Sequence, residues 1–118
     1  MKLQTKDLVI GDWVKVKSAQ KQVKVKEIKQ SCIYTEDNGY EYNEIGPIPL
    51  TPELLEKNGF RYNDTPFVQA WEQYGLSIYG SYGKYLINCG QDVDMDVSYV
   101  HQLQRALRLC GIDKQIVL

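Results

Sequence analysis

The segment PIPLTPELLEKNGF, residues 47–60, constrains the fold more than any other stretch of this sequence. Pro47 and Pro49 lack the N–H that a strand ladder needs, so Ile45 to Leu50 is excluded from a central strand and reads as an edge or a strap. Thr51 can then accept a hydrogen bond from a first-turn N–H, and Pro52 sits where a missing N–H costs nothing. Glu53 and Glu56 suit the positive end of a helix. Asn58 and Gly59 both offer left-handed conformations, which predicts a short helix near residues 52–58, about two turns long. A β-rich half, residues 1–50, therefore precedes a second half, residues 51–118. The 47–60 stretch is expected to act as strap and helix, packing both halves into one domain spanning residues 1–118.

The first half carries a period of two. In WVKVK, from Trp13 to Lys17, and VKVKEIK, from Val23 to Lys29, Val14, Val16, Val23 and Val25 fall on one face and lysines on the other. These are half-buried strands, with turns at Gly11-Asp12, Ser18 to Lys21 and Asp37-Asn38-Gly39, the last containing the hairpin dipeptide Asn-Gly. Four or five short strands closed by the proline strap describe a small SH3-like barrel or a bent sheet.

The second half reads as a β-meander of Phe67 to Gln73, Leu76 to Tyr79 and Lys84 to Cys89, with turns at Tyr74-Gly75 and Gly80 to Gly83. Phe67 to Gln73 fits a helical turn as well as a strand. Val97, Val100, Leu103, Leu107 and Cys110 then recur at three- and four-residue steps, which predicts a terminal helix near residues 97–110. Asp96 or Ser98 is its N-cap, Arg105 and Arg108 lie in its later turns, and Gly111 closes it. The fold class expected is α+β.

A chain of 118 residues can bury a core of its own, and 43% hydrophobic with 25% charged residues argues against disorder. Apolar runs of three residues, such as Leu8 to Ile10, are too short for a signal peptide or a membrane span. Cys32, Cys89 and Cys110 are odd in number and form no CxxC, so reduced thiols in a cytoplasm are expected rather than a disulfide framework or a zinc knuckle. The net charge of −1 conceals blocks: +5 over residues 1–29, −6 over residues 30–56, and zero over residues 57–118. The acidic residues Glu36, Asp37, Glu41 and Glu44 are expected to face the lysine strands across an antiparallel sheet.

Four features bear on chemistry. Asp92, Asp94 and Asp96 resemble the opening of a calcium loop, but Val97 stands where glycine is required and Leu103 where a bidentate glutamate is required. A solvated turn that supplies negative charge to the following helix is the expectation, and no metal or other cofactor is. His101, the only histidine, has no ligand-spaced companion and reads as a structural or surface residue. YGSYGKY, Tyr79 to Tyr85, is not a phosphate loop; Tyr79 and Tyr82 offer contact surface at low entropic cost. Trp13, with Lys15, Lys17, Lys24 and Lys26, supplies the aromatic platform and cations that small barrels use on nucleic acids or extended peptides.

IGPIPLTPELLEKNGF, Ile45 to Phe60, and VSYVHQLQRAL, Val97 to Leu107, resemble blocks of a family of small proteins without an assigned activity from Bacteroidetes genomes and their phages. Members similarly begin with a short GDWV-like β segment. The resemblance implies a bacterial or phage cytoplasmic protein and carries over no catalytic residue. The function expected is a non-enzymatic binding or regulatory module that contacts another protein and no membrane. The alternative is a weak nucleic-acid binder working through the N-terminal lysine strands.

Overall fold

Alternating burial along Trp13–Val16 shows why this chain begins as strands: Val14 and Val16 are buried while Trp13 and Lys15 are half-buried on the other face. The computed structural model describes residues 2–66, 69–81, 84–89 and 94–118, and the chain divides into two compact units, Met1–Ile48 and Pro49–Leu118. The fold is α+β, with strands leading and the longer of the two described helices near the C-terminus.

In the first unit, β1 (Trp13–Val16) pairs with β2 (Lys21–Lys24); β3 (Glu27–Ile28), β4 (Cys32–Tyr34) and β5 (Gly39–Glu41) form a second sheet; β6 (Ile45–Gly46) returns to β1. The two three-stranded sheets, ordered β2-β1-β6 and β3-β4-β5, are joined through Val25 and Lys26. Val25 donates its N–H to the Asp12 carbonyl at 2.9 Å and accepts from the Gly11 N–H at 2.8 Å, whereas Lys26 donates to the Tyr34 carbonyl at 2.8 Å. One continuous segment thus serves both sheets. Leu3, Leu8, Val14, Val16, Val23, Val25, Ile33 and Ile45 form the core, with Ile28, Tyr40 and Tyr42 packed against it. Burying side chains of this size stabilises by roughly 1.5–3 kcal/mol each before chain entropy is counted.

The second unit opens with Pro49 bridged to Tyr99, and the Leu50 N–H donates to the Ser98 carbonyl. Helix α1 (Pro52–Lys57) has the expected start: the Thr51 hydroxyl accepts from the Leu54 N–H at 3.2 Å, and Pro52 fills the first turn. Its end differs from expectation. Only Gly59 is left-handed (φ 90°); Asn58 stays at φ −97°, and its side-chain amide donates to the Leu54 and Val117 carbonyls. A five-stranded antiparallel sheet follows, made of β7 (Arg61–Asp64), β8 (Gln69–Gln73), β9 (Leu76–Ser81), β10 (Lys84–Asn88) and β11 (Asp94–Asp96).

Two expectations for this sheet need correction, and one of its strands was not expected. Strand β7 had no period-two apolar signal because only Asn63 in RYND is even half-buried. The stretch expected over Gly80 to Gly83 as a turn instead continues β9 through Gly80 and Ser81; Tyr82 and Gly83 lie outside the described residues. Asp94 and Asp96 belong to an edge strand rather than a solvated turn, since Leu86 pairs with Asp96 and Asn88 with Asp94; Asp92 lies outside the described residues. Of the two readings open for Phe67 to Gln73 the strand is the one observed, over Gln69–Gln73, while Phe67 and Val68 lie outside the described residues.

Helix α2 (Val100–Leu109) starts later than the periodicity predicted, and its N-cap is Tyr99 rather than Asp96 or Ser98. The Gln102 side-chain oxygen accepts from the Tyr99 N–H at 3.0 Å and so completes the first turn, while Asp96 accepts from the Ser98 N–H before the helix begins. Val100, His101, Leu103, Gln104, Ala106 and Leu107 make its buried face. His101, 3% exposed and stacked on Tyr99 at 6.0 Å, takes the structural of the two roles expected for it.

Gly80 and Gly75 separate backbone freedom from space. Both have positive φ, but a Cβ at Gly80 would overlap the Lys84 carbonyl oxygen, whereas one at Gly75 meets nothing within 4 Å. Gly80→Ala is expected to cost at least about 2 kcal/mol in urea unfolding, and Gly75→Ala only about 1 kcal/mol. Equal costs at the two sites would show that the close approach at Gly80 is relieved by the backbone.

Candidate functional site

Pairing register puts the predicted lysines and Trp13 on one face. Trp13 stands opposite Lys24, and Lys15 opposite Gln22, while the Val14–Val23 pair turns inward. The Lys24 ammonium lies 5.5 Å from the Trp13 ring centroid, within reach of a cation–π attraction. Beside this pair runs an open groove of about 270 Å³, lined by β2 residues Lys21, Gln22, Val23 and Lys24, by Trp13 and Lys26, and by the turn residues Thr35, Glu36 and Asp37. The turn is fixed locally: the Thr35 N–H and hydroxyl both donate to the Asn38 carbonyl, at 2.7 and 3.0 Å.

Trp13, Lys24 and Lys26 are therefore brought together in one groove. Lys15 and Lys17 lie just outside it, their aliphatic stems against Gly46 of β6. Tyr34, Tyr40 and Tyr42, which are near Trp13 in sequence, serve the other sheet. Tyr34 lies over its cross-strand partner Gly39, and the Tyr42 hydroxyl donates to the Lys29 carbonyl at 2.9 Å.

Opposite charges do meet, but not across a ladder as the sequence suggested. The lysine strand β2 pairs with β1, and the acidic strand β5 pairs with β4. Their contact is the groove, where Lys21 and Asp37 approach to 3.9 Å with side chains 53% and 74% exposed. So long and solvated a pair contributes little and leaves the groove open. Glu27 and Lys29 pair at 3.2 Å along the chain, and the hydrogen bond and charge of Glu27 raise the Lys29 ammonium above its ordinary range. Lys21, Gln22, Thr35, Glu36 and Asp37 were not singled out as site residues from sequence. Their signal was the Asp37-Asn38-Gly39 turn, which places Thr35 to Asp37 at a strand end but does not say what that end faces.

Tyr79 belongs to the second unit. It forms an outward row with Leu86 and Asp96 across β9, β10 and β11, opposite in face to the inward row Trp71, Ile78 and Ile87. With Lys84, Tyr85, Ser98 and Tyr99 it lines an open trough of about 610 Å³. The Ser98 hydroxyl donates to an Asp96 oxygen at 2.9 Å and accepts from the Tyr85 N–H at 3.3 Å. Burial, and then the negative charge of Glu53, raise the Tyr85 phenol above its ordinary range. Tyr82, the other tyrosine expected to contribute contact surface, lies outside the described residues. No grouping of three or more His, Cys, Asp or Glu able to hold a metal occurs among the described residues, and none of their helices is long and apolar enough to cross a membrane. No protein-family model matches the chain, and neither a curated protein nor a solved structure matches it.

Two measurements check this geometry. Double-mutant cycles are expected to give a coupling of about 0.5–1 kcal/mol for Trp13 with Lys24 and below about 0.5 kcal/mol for Lys21 with Asp37; the reverse order would mean that the salt bridge closes the groove. Tyr85 binds its proton more tightly folded than unfolded. The stability this carries is whole below the unfolded value near 10 and is lost as pH rises through the folded value. Denaturation followed above pH 10 should show wild-type stability falling more steeply than that of Tyr85→Phe, and parallel curves would exclude Tyr85 as a source.

Proposed function

We propose that the chain is a non-enzymatic binding module whose first unit takes an extended segment of another protein along the groove beside Trp13. The observation that carries this reading is the half-buried indole under Lys24 at the edge of a groove holding both cations and carboxylates. An indole gives an apolar side chain a rigid surface, and Lys24 and Lys26 can pair with an acidic residue next to it. A volume of about 270 Å³ is small beside the pockets of roughly 300–1,000 Å³ that enclose drug-sized ligands, but it suits one or two side chains of a strand. The partner segment is thus an acidic residue adjoining an aliphatic residue or proline.

The topology of the first unit supports an SH3-like reading of this half. Strand β6 follows a 3-10 turn at Tyr42–Glu44 and pairs with β1, and the segment through Val25 serves two sheets. A cytoplasmic setting and kinship with the small proteins of Bacteroidetes and their phages belong to the same proposal.

Nucleic acid is the second reading, favoured by the cluster of Lys15, Lys17 and Lys24 on the face of Trp13. Glu36 and Asp37 in the same groove repel phosphates and rank it lower.

An array of ten-residue peptides with varied acidic, aliphatic and proline content, followed by titration of the best binders, tests the proposal. Affinity should fall at least about tenfold with Trp13→Ala and about threefold to tenfold with Lys24→Ala, while Tyr79→Ala leaves it unchanged. No peptide binding tighter than about 1 mM, or binding indifferent to Trp13→Ala, would reject the groove as the site. A poly-thymidine oligonucleotide that binds and loosens steeply as salt rises would put nucleic acid in the peptide's place.

A further inference from the structure

Strand β2 lies at a sheet edge, paired with β1 on one side and with no other strand among the described residues. The ladder shows which of its backbone groups β1 uses. The Val25 N–H donates to the Asp12 carbonyl one step beyond the Trp13–Lys24 pair, and bonded and unbonded pairs alternate along an antiparallel ladder. Val14–Val23 and Val16–Lys21 are therefore the bonded pairs. The far side of β1 agrees, since the Lys17 N–H donates to the Glu44 carbonyl and the same alternation turns Lys15 toward β6. The N–H and carbonyl of Gln22 and of Lys24 consequently point away from β1, and among the described residues they have no hydrogen-bond partner.

Two residues further along the same edge, the Lys26 N–H is taken by the Tyr34 carbonyl at the end of β4, and the chain then turns aside through Thr35 to Asn38. The groove between Lys21 to Lys24 and Thr35 to Asp37 thus lies on the line that β4 leaves.

We propose, resting on the reading of this groove as a peptide site, that the partner segment adds to the free edge of β2 as an antiparallel strand continuing the direction of β4. Its residues opposite Gln22 and Lys24 exchange N–H and carbonyl bonds with them and present side chains on the face of Trp13 and Lys24. The residue between, opposite Val23, turns its own N–H away, so this is the position where proline fits. Charge selects the occupant. A second copy of β2 would bring lysines against Lys21 and Lys24, which opposes self-pairing, whereas an acidic segment is drawn to the same edge.

The probe is the tightest ten-residue peptide of the array, remade as a series with one N-methylated residue in each. Affinity for the wild-type chain is expected to fall at least about tenfold at two positions separated by one residue, and to stay within about twofold at the residue between them. Amide exchange at Gln22 and Lys24 should be faster than at Val23 in the free chain and slow at least about tenfold in the complex. Gln22→Pro removes an outward N–H and no bond to β1, so it should fold and lose at least about tenfold in affinity.

Binding that depends on Trp13 yet tolerates every N-methylation would overturn strand addition and leave the peptide groove standing. No peptide tighter than about 1 mM would reject the groove and strand addition with it. Peptide-free dimerisation that protects the Gln22 and Lys24 amides would place a second copy on the edge instead. The N-methylated series uses the wild-type chain, so it decides even where Gln22→Pro fails to fold.

Discussion

The change of hydrogen-bonding partner between Val25 and Lys26 is the constraint on which the first unit depends. Val25 is bonded in both directions to the Gly11-Asp12 turn, and the next residue is bonded to Tyr34 in the other sheet. A strand that must serve two sheets has to bend where it changes partner, and this one bends at a fully buried valine. Beyond the bend the chain runs on into β3 and β4, which brings the Thr35 to Asp37 turn to the edge of β2. The groove exists because of that bend. Asp12 reinforces it from the other side: buried to 1% exposure, it accepts the Val9 N–H and holds the turn that Val25 grips.

Charge in this unit follows from the same geometry. The lysine strand and the acidic segment are not ladder partners, so their attraction acts through solvent-exposed tips rather than through opposed pairs. Exposed tips are held weakly and can exchange partners at little cost, which is the condition that the proposed peptide site requires of Lys21 and Asp37. A tight ladder of opposite charges would have made the same residues unavailable.

In the second unit the organising element is the antiparallel sheet with its two distinct faces. The inward row Trp71, Ile78 and Ile87 and the outward row Tyr79, Leu86 and Asp96 differ only by one step along each strand. A one-residue slip would exchange them, and the close approach at Gly80 acts against such a slip because no other residue fits there.

Short-range chemistry was legible in the sequence. The Val-Lys alternation, the Thr51-Pro52 helix start and the helix periodicity from Val100 to Leu107 each depend on residues a few positions apart, and each recurs in the structure. A hairpin also forms where Asn38-Gly39 predicted one, but its connection is Thr35 to Asn38, and Gly39 already pairs with Tyr34 as a strand residue without positive φ. Strand β7 was not legible, because RYND has no apolar alternation: only Asn63 is half-buried, and the packing of Tyr62 on Trp71 joins residues on different strands. Nor was the helix start at Tyr99, where the Gln102 amide competes successfully with Asp96 and Ser98, whose groups bond each other instead. The sequence by itself determined which residues seek burial and where the chain must turn, since those depend on side-chain chemistry and local backbone freedom. Only the tertiary structure decided that Lys24 covers Trp13 and that Asp37 shares a groove with Lys21. Such meetings depend on where bends and sheet registers carry residues far apart along the chain, and no local pattern encodes that.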